Sequence, residues 1–258
     1  MGAAMIAGLL SRELIPPDRI MVSDVCGGRV AQLCQRHGVL GTTDNSKAVA
    51  GAEIVVLAVK PQVLPQVLTE LEGRILSRAL VLSIVAGASI ASLAEGLGHA
   101  ALVRAMPNTP VQVGEGMTVW IATEAASPSQ RGQARAILQA LGEEVCVTEE
   151  RYLDMATALS GSGPAYVLLF LEALIDAGVY MGLSRSIAER LAWQTMWGTL
   201  TLVRDRGEHP AALRNQVTSP GGTTAEALQA FERGGFRALV TEAVWAAFQK
   251  AQKLGEKR

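Results

Sequence analysis

Apolar and polar positions follow two different periods along the first 150 residues. Short β-branched runs recur at Arg19–Val25, Glu53–Lys60 and Ala79–Ala86, then at Ala101–Ala105, Gly116–Ala122 and Glu144–Thr148. Between them lie helical spacings, at Gly28–His37, Pro65–Glu72 and Ser127–Leu141. Continuous apolar runs separated by helices suit parallel strands buried on both faces. The pattern predicts a doubly wound α/β domain.

Near residue 150 the pattern changes. From Glu150 onward no segment reads as a strand, and long helical stretches follow at about Ala165–Met181, Ser186–Arg204, Thr223–Arg233 and Phe236–Leu254. Gly-Pro and Gly-Gly pairs separate them. The expected organisation is therefore a Rossmann-like domain over 1–149 and an all-α domain over 150–258. The Ala165–Met181 helix is apolar nearly all round, which in a water-soluble protein requires cover on every side. A domain of about a hundred residues rarely encloses such a helix alone, so a subunit interface is the natural cover. Trp193 and Trp197 share a helix face; core packing is the plain expectation for them, substrate stacking the sharper one.

Composition narrows the function classes. Lys plus Arg number 23 against 24 acidic residues, which offers neither a basic footprint for nucleic acid nor a polybasic lipid anchor. Cys26, Cys34 and Cys146 are scattered and the three histidines lie far apart, so neither a disulfide framework nor a metal centre is expected. Met1–Leu10 lacks the basic flank and cleavage site of a signal peptide. The stretch Ala165–Val179, interrupted by Glu172 and Asp176, falls short of the roughly 20 residues that span a bilayer. These features fit a cytoplasmic protein.

A dinucleotide-binding fold opens with a strand, then G-x-G-x-x-G, then a helix whose first amides hold the pyrophosphate. Here Met1-Gly2-Ala3-Ala4-Met5 is already helix-like, yet Val22-Ser23-Asp24 reads as the second strand of such a fold with an acidic residue at its end. In the usual order the first strand lies at the centre of the sheet. The expectation is that one strand and two glycines lie upstream of Met1 in a longer natural chain, leaving the strands that flank their place without a shared neighbour. The alternative is an ordinary amphipathic helix at the start.

Several segments carry candidate chemistry. Asp24 would accept hydrogen bonds from the adenosine ribose of NAD and repel the 2′-phosphate of NADP; a solvated strand-end aspartate is the plain alternative. Lys60-Pro61 and Val85-Ala86-Gly87-Ala88 end buried strands, at the carboxyl edge where such sheets bind ligands. The stiff loop Met106-Pro107-Asn108-Thr109-Pro110 places a side-chain amide between two prolines, and a ligand-facing role is expected for Asn108. Leu159 to Tyr166 is a Ser/Gly-rich entry into the long apolar helix, where small residues could equally serve close packing. Val217 to Thr224 precedes a helix, and free N-terminal amides with Ser and Thr hydroxyls suit a small carboxylate.

Together these residues resemble the pyrroline-5-carboxylate reductase family. The resemblance runs through Met1 to Leu10, Ala58-Val59-Lys60-Pro61, Met106 to Pro110, Leu159 to Tyr166 and, most specifically, Ser219-Pro220-Gly221-Gly222-Thr223-Thr224. It implies a Rossmann domain followed by a helical domain that dimerises by interlocking helices, often assembling into pentamers of dimers, a decamer. It also implies that NADPH or NADH is the coenzyme, touched by Gly2, Ser23, Asn45, Ala58, Val59, Lys60, Pro61, Ile84, Val85 and Ala86. The substrate carboxylate would sit at Ser219, Gly222 and Thr223, with the Thr224 hydroxyl facing the ring nitrogen and Glu150 at a further substrate-side position. Gln216 departs from the pattern, since some relatives carry Asn there near the coenzyme.

The chemistry implied is reduction of a cyclic imine to L-proline, the last step of proline biosynthesis. A cyclic imine can bind already protonated, so a site of hydroxyls and amides needs only to orient it against the nicotinamide. That agrees with the lack of a His or Lys in the motifs. Two rivals stand beside it. A related two-domain reductase of a hydroxy acid would present Lys or His to the oxygen, and a catalytically impaired dimeric binding protein would bind no coenzyme.

Overall fold

The computed structural model describes residues 1–256. They form two compact units: Met1–Ser162 together with the chain from Ala247 onward, and Gly163–Ala246.

The first unit alternates helix and strand. Helix α1 (Gly2–Ser11) precedes β1 (Met21–Ser23), α2 (Gly27–His37), β2 (Leu40–Thr42), α3 (Asn45–Val49), β3 (Ile54–Leu57) and α4 (Leu64–Leu71). Then follow β4 (Leu80–Ser83), α5 (Ile90–Leu97), β5 (Leu102–Pro107), β6 (Gly116–Ala122), α6 (Pro128–Gln139), β7 (Gly142–Cys146) and α7 (Arg151–Ala156). A π-helical turn, Thr157–Gly161, completes it. Local signals set several boundaries. Ser127 and Gln130 form a reciprocal capping box around Pro128 at the start of α6, and Gly38 in the left-handed region ends α2.

Helices cover both faces of the main sheet. Along β4, Val81 joins a core with Leu64, Val67 and Leu71 of α4 and Leu93 and Leu97 of α5. Its neighbours Leu80 and Leu82 join the opposite core, with Met5 of α1 and Ala134 and Leu138 of α6. That alternation is the period-two side-chain geometry of a strand buried on both sides.

The strands form two sheets, β1–β2 and β3–β4–β5–β6–β7. Strand β1 pairs only with β2 and β3 only with β4, so the two strands expected to lack a shared neighbour do lack one among the described residues. One expectation is corrected. Not every strand is parallel: β6 runs antiparallel to β5, with Pro107 opposite Thr118. The connection Asn108–Glu115 is too short for a crossover and contains a 3₁₀ turn, Thr109–Val113, so the chain must return from the same end of the sheet. The short elements β2, α3, α5 and α7 were not read from the sequence pattern.

The second unit is all-α: α8 (Gly163–Tyr180), α9 (Arg185–Arg206), α10 (Pro210–Gln216), α11 (Thr223–Arg233) and most of α12 (Phe236–Glu256). Helices α8 and α9 pack where Gly178 admits Ala188; a Cβ on Gly178 would lie 2.9 Å from that methyl. Phe170, Phe231 and Phe236 cluster with ring centroids 5.3–6.4 Å apart. The unit divides from the first at Ser162/Gly163 rather than at 149/150, because Leu153 and Ala156 of α7 are buried and Asp154 is tied to Arg104 of the sheet.

Two further expectations are corrected. Trp193 and Trp197 are not core residues of the chain: they stack on each other at 6.1 Å and remain 57% and 49% exposed. The apolar stretch is also longer than expected, because the helix continues through the π-helical turn to give a run Arg151–Tyr180 of 30 residues. By length and composition it could cross a membrane, and only 6% of its most apolar 18 residues are buried within the chain. Leu168 and Leu169 face outward, so this surface is left for cover from outside the chain.

Candidate active site

The carboxyl ends of β1 and β3 carry half of the expected coenzyme contacts, Ser23, Asp24 and Ala58 to Pro61. At the end of β1 the Ser23 hydroxyl donates to Asn45 Oδ1 at 2.8 Å, and Asn45 Nδ2 donates to Glu70 Oε2 at 2.9 Å. The acceptor on Glu70 fixes which way the Asn45 amide points, and so turns the only Ser23 proton inward. The Ser23 oxygen is left with acceptor capacity. Two residues expected to touch coenzyme are thereby joined directly, and the amide between them is held by a third, Glu70, that the sequence did not single out.

Asp24 follows directly. Its Oδ1 accepts from the Cys26 amide at 2.9 Å and its Oδ2 meets Arg29 Nη1 at 3.1 Å. The Cys26 amide holds the carboxyl below its usual range; partial burial opposes this and Arg29 adds to it. A carboxylate between a backbone donor and a guanidinium differs from the solvated aspartate of the plain alternative.

Beyond β3, Ala58-Val59-Lys60 leads to Pro61, which opens a 3₁₀ turn over Pro61–Val63. The start of α1 approaches here: a Cβ on Gly2 would lie 3.4 Å from Ala58 Cβ. No side chain caps α1, so its first amides are oriented for an anion. After β4, Ile84, Val85 and Ala86 lead into Gly87, whose φ of +75° only glycine adopts without strain. Val85 is buried, its amide donating to the Ser83 hydroxyl at 3.3 Å. These segments fit a dinucleotide: small residues, uncapped amides and ribose-type acceptors gather at the carboxyl ends of parallel strands.

Asn108 and Glu150 have different surroundings from those expected. Asn108 accepts from the Met117 amide at 2.8 Å and donates to the Ser160 carbonyl at 3.1 Å, so its side chain clasps the β5–β6 loop to the π-helical turn. Glu150 Oε1 accepts from the Ile90 amide at 2.8 Å and from Arg104 Nη1 at 2.6 Å. Arg104 is itself buried on β5 and reaches Asp154 at 3.5 Å. The signal for Arg104 was present in the sequence: it is the one charge inside the apolar run Ala101–Ala105.

In the helical unit, Ser219 to Thr224 form the turn into α11. The Gly222 amide donates to the Ser219 carbonyl at 3.1 Å, and Gly221 has a φ of +67°. A Cβ on Gly222 would stand 2.6 Å from Ser219 Oγ, so only glycine lets that hydroxyl fold against the turn. No side chain caps the first turn of α11, although Ser219, Thr223 and Thr224 surround it. This arrangement suits a small carboxylate. Gln216, by contrast, is occupied with Arg206 and Glu208.

A doubly wound sheet with coenzyme-type contacts at its strand ends, followed by a helical unit with an anion-type turn, is the plan of a dinucleotide-dependent oxidoreductase. Comparison with known proteins narrows this. Residues 150–254 match the family model described as pyrroline-5-carboxylate reductase dimerisation, and residues 1–87 match that of NADP oxidoreductase, coenzyme F420-dependent. The chain is 44% identical over 257 residues to a pyrroline-5-carboxylate reductase of Synechocystis, covering 100% of this chain and 96% of the relative. It superposes with a TM-score of 0.90 on the structure of a pyrroline-5-carboxylate reductase from Coxiella burnetii, 36% identical, covering 97% and 93% of the two chains. A Plasmodium falciparum pyrroline carboxylate reductase solved with NADP bound matches with a TM-score of 0.89 at 32% identity, covering 99% and 94%. The chain belongs to the pyrroline-5-carboxylate reductase family.

Proposed function

We infer that this protein reduces 1-pyrroline-5-carboxylate to L-proline with NADPH or NADH, the last step of proline biosynthesis. The bound coenzyme supplies the hydride. The chain's own residues hold and orient the substrate: Ser219, Gly222 and Thr223 take the carboxylate at the uncapped start of α11, and the Thr224 hydroxyl faces the ring nitrogen. Glycine at 222 keeps the Ser219 hydroxyl folded against that turn. Because a cyclic imine can bind already protonated, orientation and charge complementarity suffice without a strong enzymic acid.

On the coenzyme side, Gly2 and the Ala58–Pro61 segment line the pyrophosphate and nicotinamide path together with Ile84, Val85 and Ala86. Ser23, Asp24 and Asn45 take the adenosine ribose. Asn108 and Glu150 support the site by fixing the loop and helix α7, and do so through contacts already made within the protein. The balanced charge argues against a nucleic-acid partner, the scattered cysteines favour a reducing compartment such as the cytoplasm, and the apolar surface of Arg151–Tyr180 is assigned to a partner subunit rather than a membrane. The exposed apolar faces of α8 and α9 favour a homodimer, with decamers built from dimers.

The observation that carries this reading is the turn Ser219–Thr224, hydroxyl-lined and uncapped, in a chain similar to the family along its whole length. The test is coenzyme oxidation on adding 1-pyrroline-5-carboxylate, with proline identified as product. Stoichiometric proline supports it. Coenzyme oxidation with a keto acid but not with the imine would favour the related reductase instead.

A further inference from the structure

We propose that the last turns of α12 brace the turn that follows β4, with Ala251 and Leu254 as positioning residues that hold Ala86 and Gly87 in the shape the coenzyme meets. This rests on the assignment of Ile84, Val85 and Ala86 to the coenzyme.

The Ile84 amide donates to the Leu57 carbonyl at 3.0 Å, and the Val85 amide to the Ser83 hydroxyl at 3.3 Å. Ala88 then closes a four-residue turn, its amide donating to the Val85 carbonyl at 3.3 Å. Gly87, third in that turn, has a φ of +75° while Ala86 keeps a negative φ, which is the pattern of a type II turn. Both flanks are fixed. Val85 and Ala88 are buried, Ser89 caps α5, and the Ile90 amide donates to Glu150 at 2.8 Å. The tip, Ala86-Gly87, stands half-buried between them.

Against that tip lies a segment from far along the chain. From Ala247 onward α12 belongs to the first unit. A Cβ on Gly87 would meet the Leu254 carbonyl oxygen at 3.4 Å and the Leu254 Cβ at 3.5 Å, so backbone packs on backbone with no side chain between. Ala251, on the same helix face as Leu254, is only 6% exposed, whereas Gln252 and Lys253 face water. One face of this helix end is therefore seated. A type II turn alone is a weak element, because one hydrogen bond restrains a glycine that gains much freedom on release. Backbone contact at its tip removes that freedom before coenzyme arrives. Without the contact, coenzyme must order the turn on binding, and its affinity should fall about tenfold. Imine affinity, set at Ser219–Thr224, should not change.

Two variants test the brace. Ala251→Glu puts a charge where a methyl is buried, and a chain ended after Lys250 removes the brace without leaving a displaced segment. Ala251→Ser is the conservative control. Amide hydrogen exchange of the coenzyme-free proteins is read at Ala88, with Val81 of β4 as internal reference. The Kd for NADPH and NADH, the imine KM at saturating coenzyme and the Tm are measured alongside. In both variants Ala88 should exchange faster with Val81 unchanged, and coenzyme should bind about tenfold more weakly. Imine KM and Tm should stay close to those of the unaltered protein, and Ala251→Ser should match it throughout. Unchanged exchange at Ala88 in both variants overturns the brace. So does faster exchange at Val81 together with a collapse of Tm, because the helix end then supports the whole fold rather than the turn. Faster exchange at Ala88 alone, with coenzyme affinity unchanged, would instead overturn the assignment of this turn to the coenzyme.

Discussion

The guanidinium of Arg104, buried on β5, lies 2.6 Å from the carboxylate of Glu150, 46 residues away and one residue before α7. The same Glu150 oxygen receives the Ile90 amide at the start of α5. One ion pair therefore ties the middle of the sheet to two helices and sets where the π-helical turn and Ser160 lie.

Removing Arg104 should be costly for that reason. Arg104→Met leaves the Glu150 and Asp154 carboxylates without their cation, and breaking a buried pair costs about 3 kcal/mol, the low end because a third of Glu150 faces water. Urea unfolding of the unaltered and variant proteins checks this. A change under about 0.5 kcal/mol, the range of an ordinary surface substitution, would mean the cluster contributes nothing to stability.

Thr224→Ala should slow imine turnover far more than it weakens coenzyme binding. Losing a hydrogen bond to a charged nitrogen costs about 1.5–3 kcal/mol, or roughly ten- to a hundredfold in kcat/KM. Unchanged kcat/KM for the imine would remove Thr224 from the substrate site.

Activity should follow association of chains. The residues 150–254 match a dimerisation family model, and Leu168 and Leu169 of α8 are exposed in the single chain. An interface of obligate type buries about 2,000 Å² or more, and Leu169→Lys should give inactive or insoluble protein. Sedimentation velocity alongside the assay decides it: a fully active monomer at assay concentration contradicts the prediction.

Asp24 should stay ionised in acid. Its folded pKa lies below the ordinary 3.8, so its small contribution to stability is present above that value and is lost as pH falls through the folded pKa. A carbon-13 titration of the Asp24 carboxyl should show this depression. In Arg29→Met it should persist in part, because the Cys26 amide, its largest cause, remains. A titration at the ordinary value in both proteins would remove the Cys26 bond from solution.

Much of this protein was legible from local pattern. The runs around β3, β4, β5 and β6 alternate or stay apolar with the two-residue period that backbone pleating imposes. The boundaries of α11, Thr223–Arg233, follow from Gly-Gly before it and Gly-Gly after it. Glycine at 221 and 222 beside Ser and Thr marked the turn before α11 from the sequence, since positive φ and close approach are local demands. Other relationships needed the tertiary structure. No window of sequence contains both Arg104 and Glu150, or Ser23, Asn45 and Glu70, and the exposure of Trp193 and Trp197 depends on what packs over α9. The direction of β6 likewise depends on where a short loop leaves the sheet. Periodicity records how one element meets its immediate environment; which elements become neighbours depends on packing between segments far apart in the chain, and there the partners of Asn108, Glu150 and Asp24 were decided.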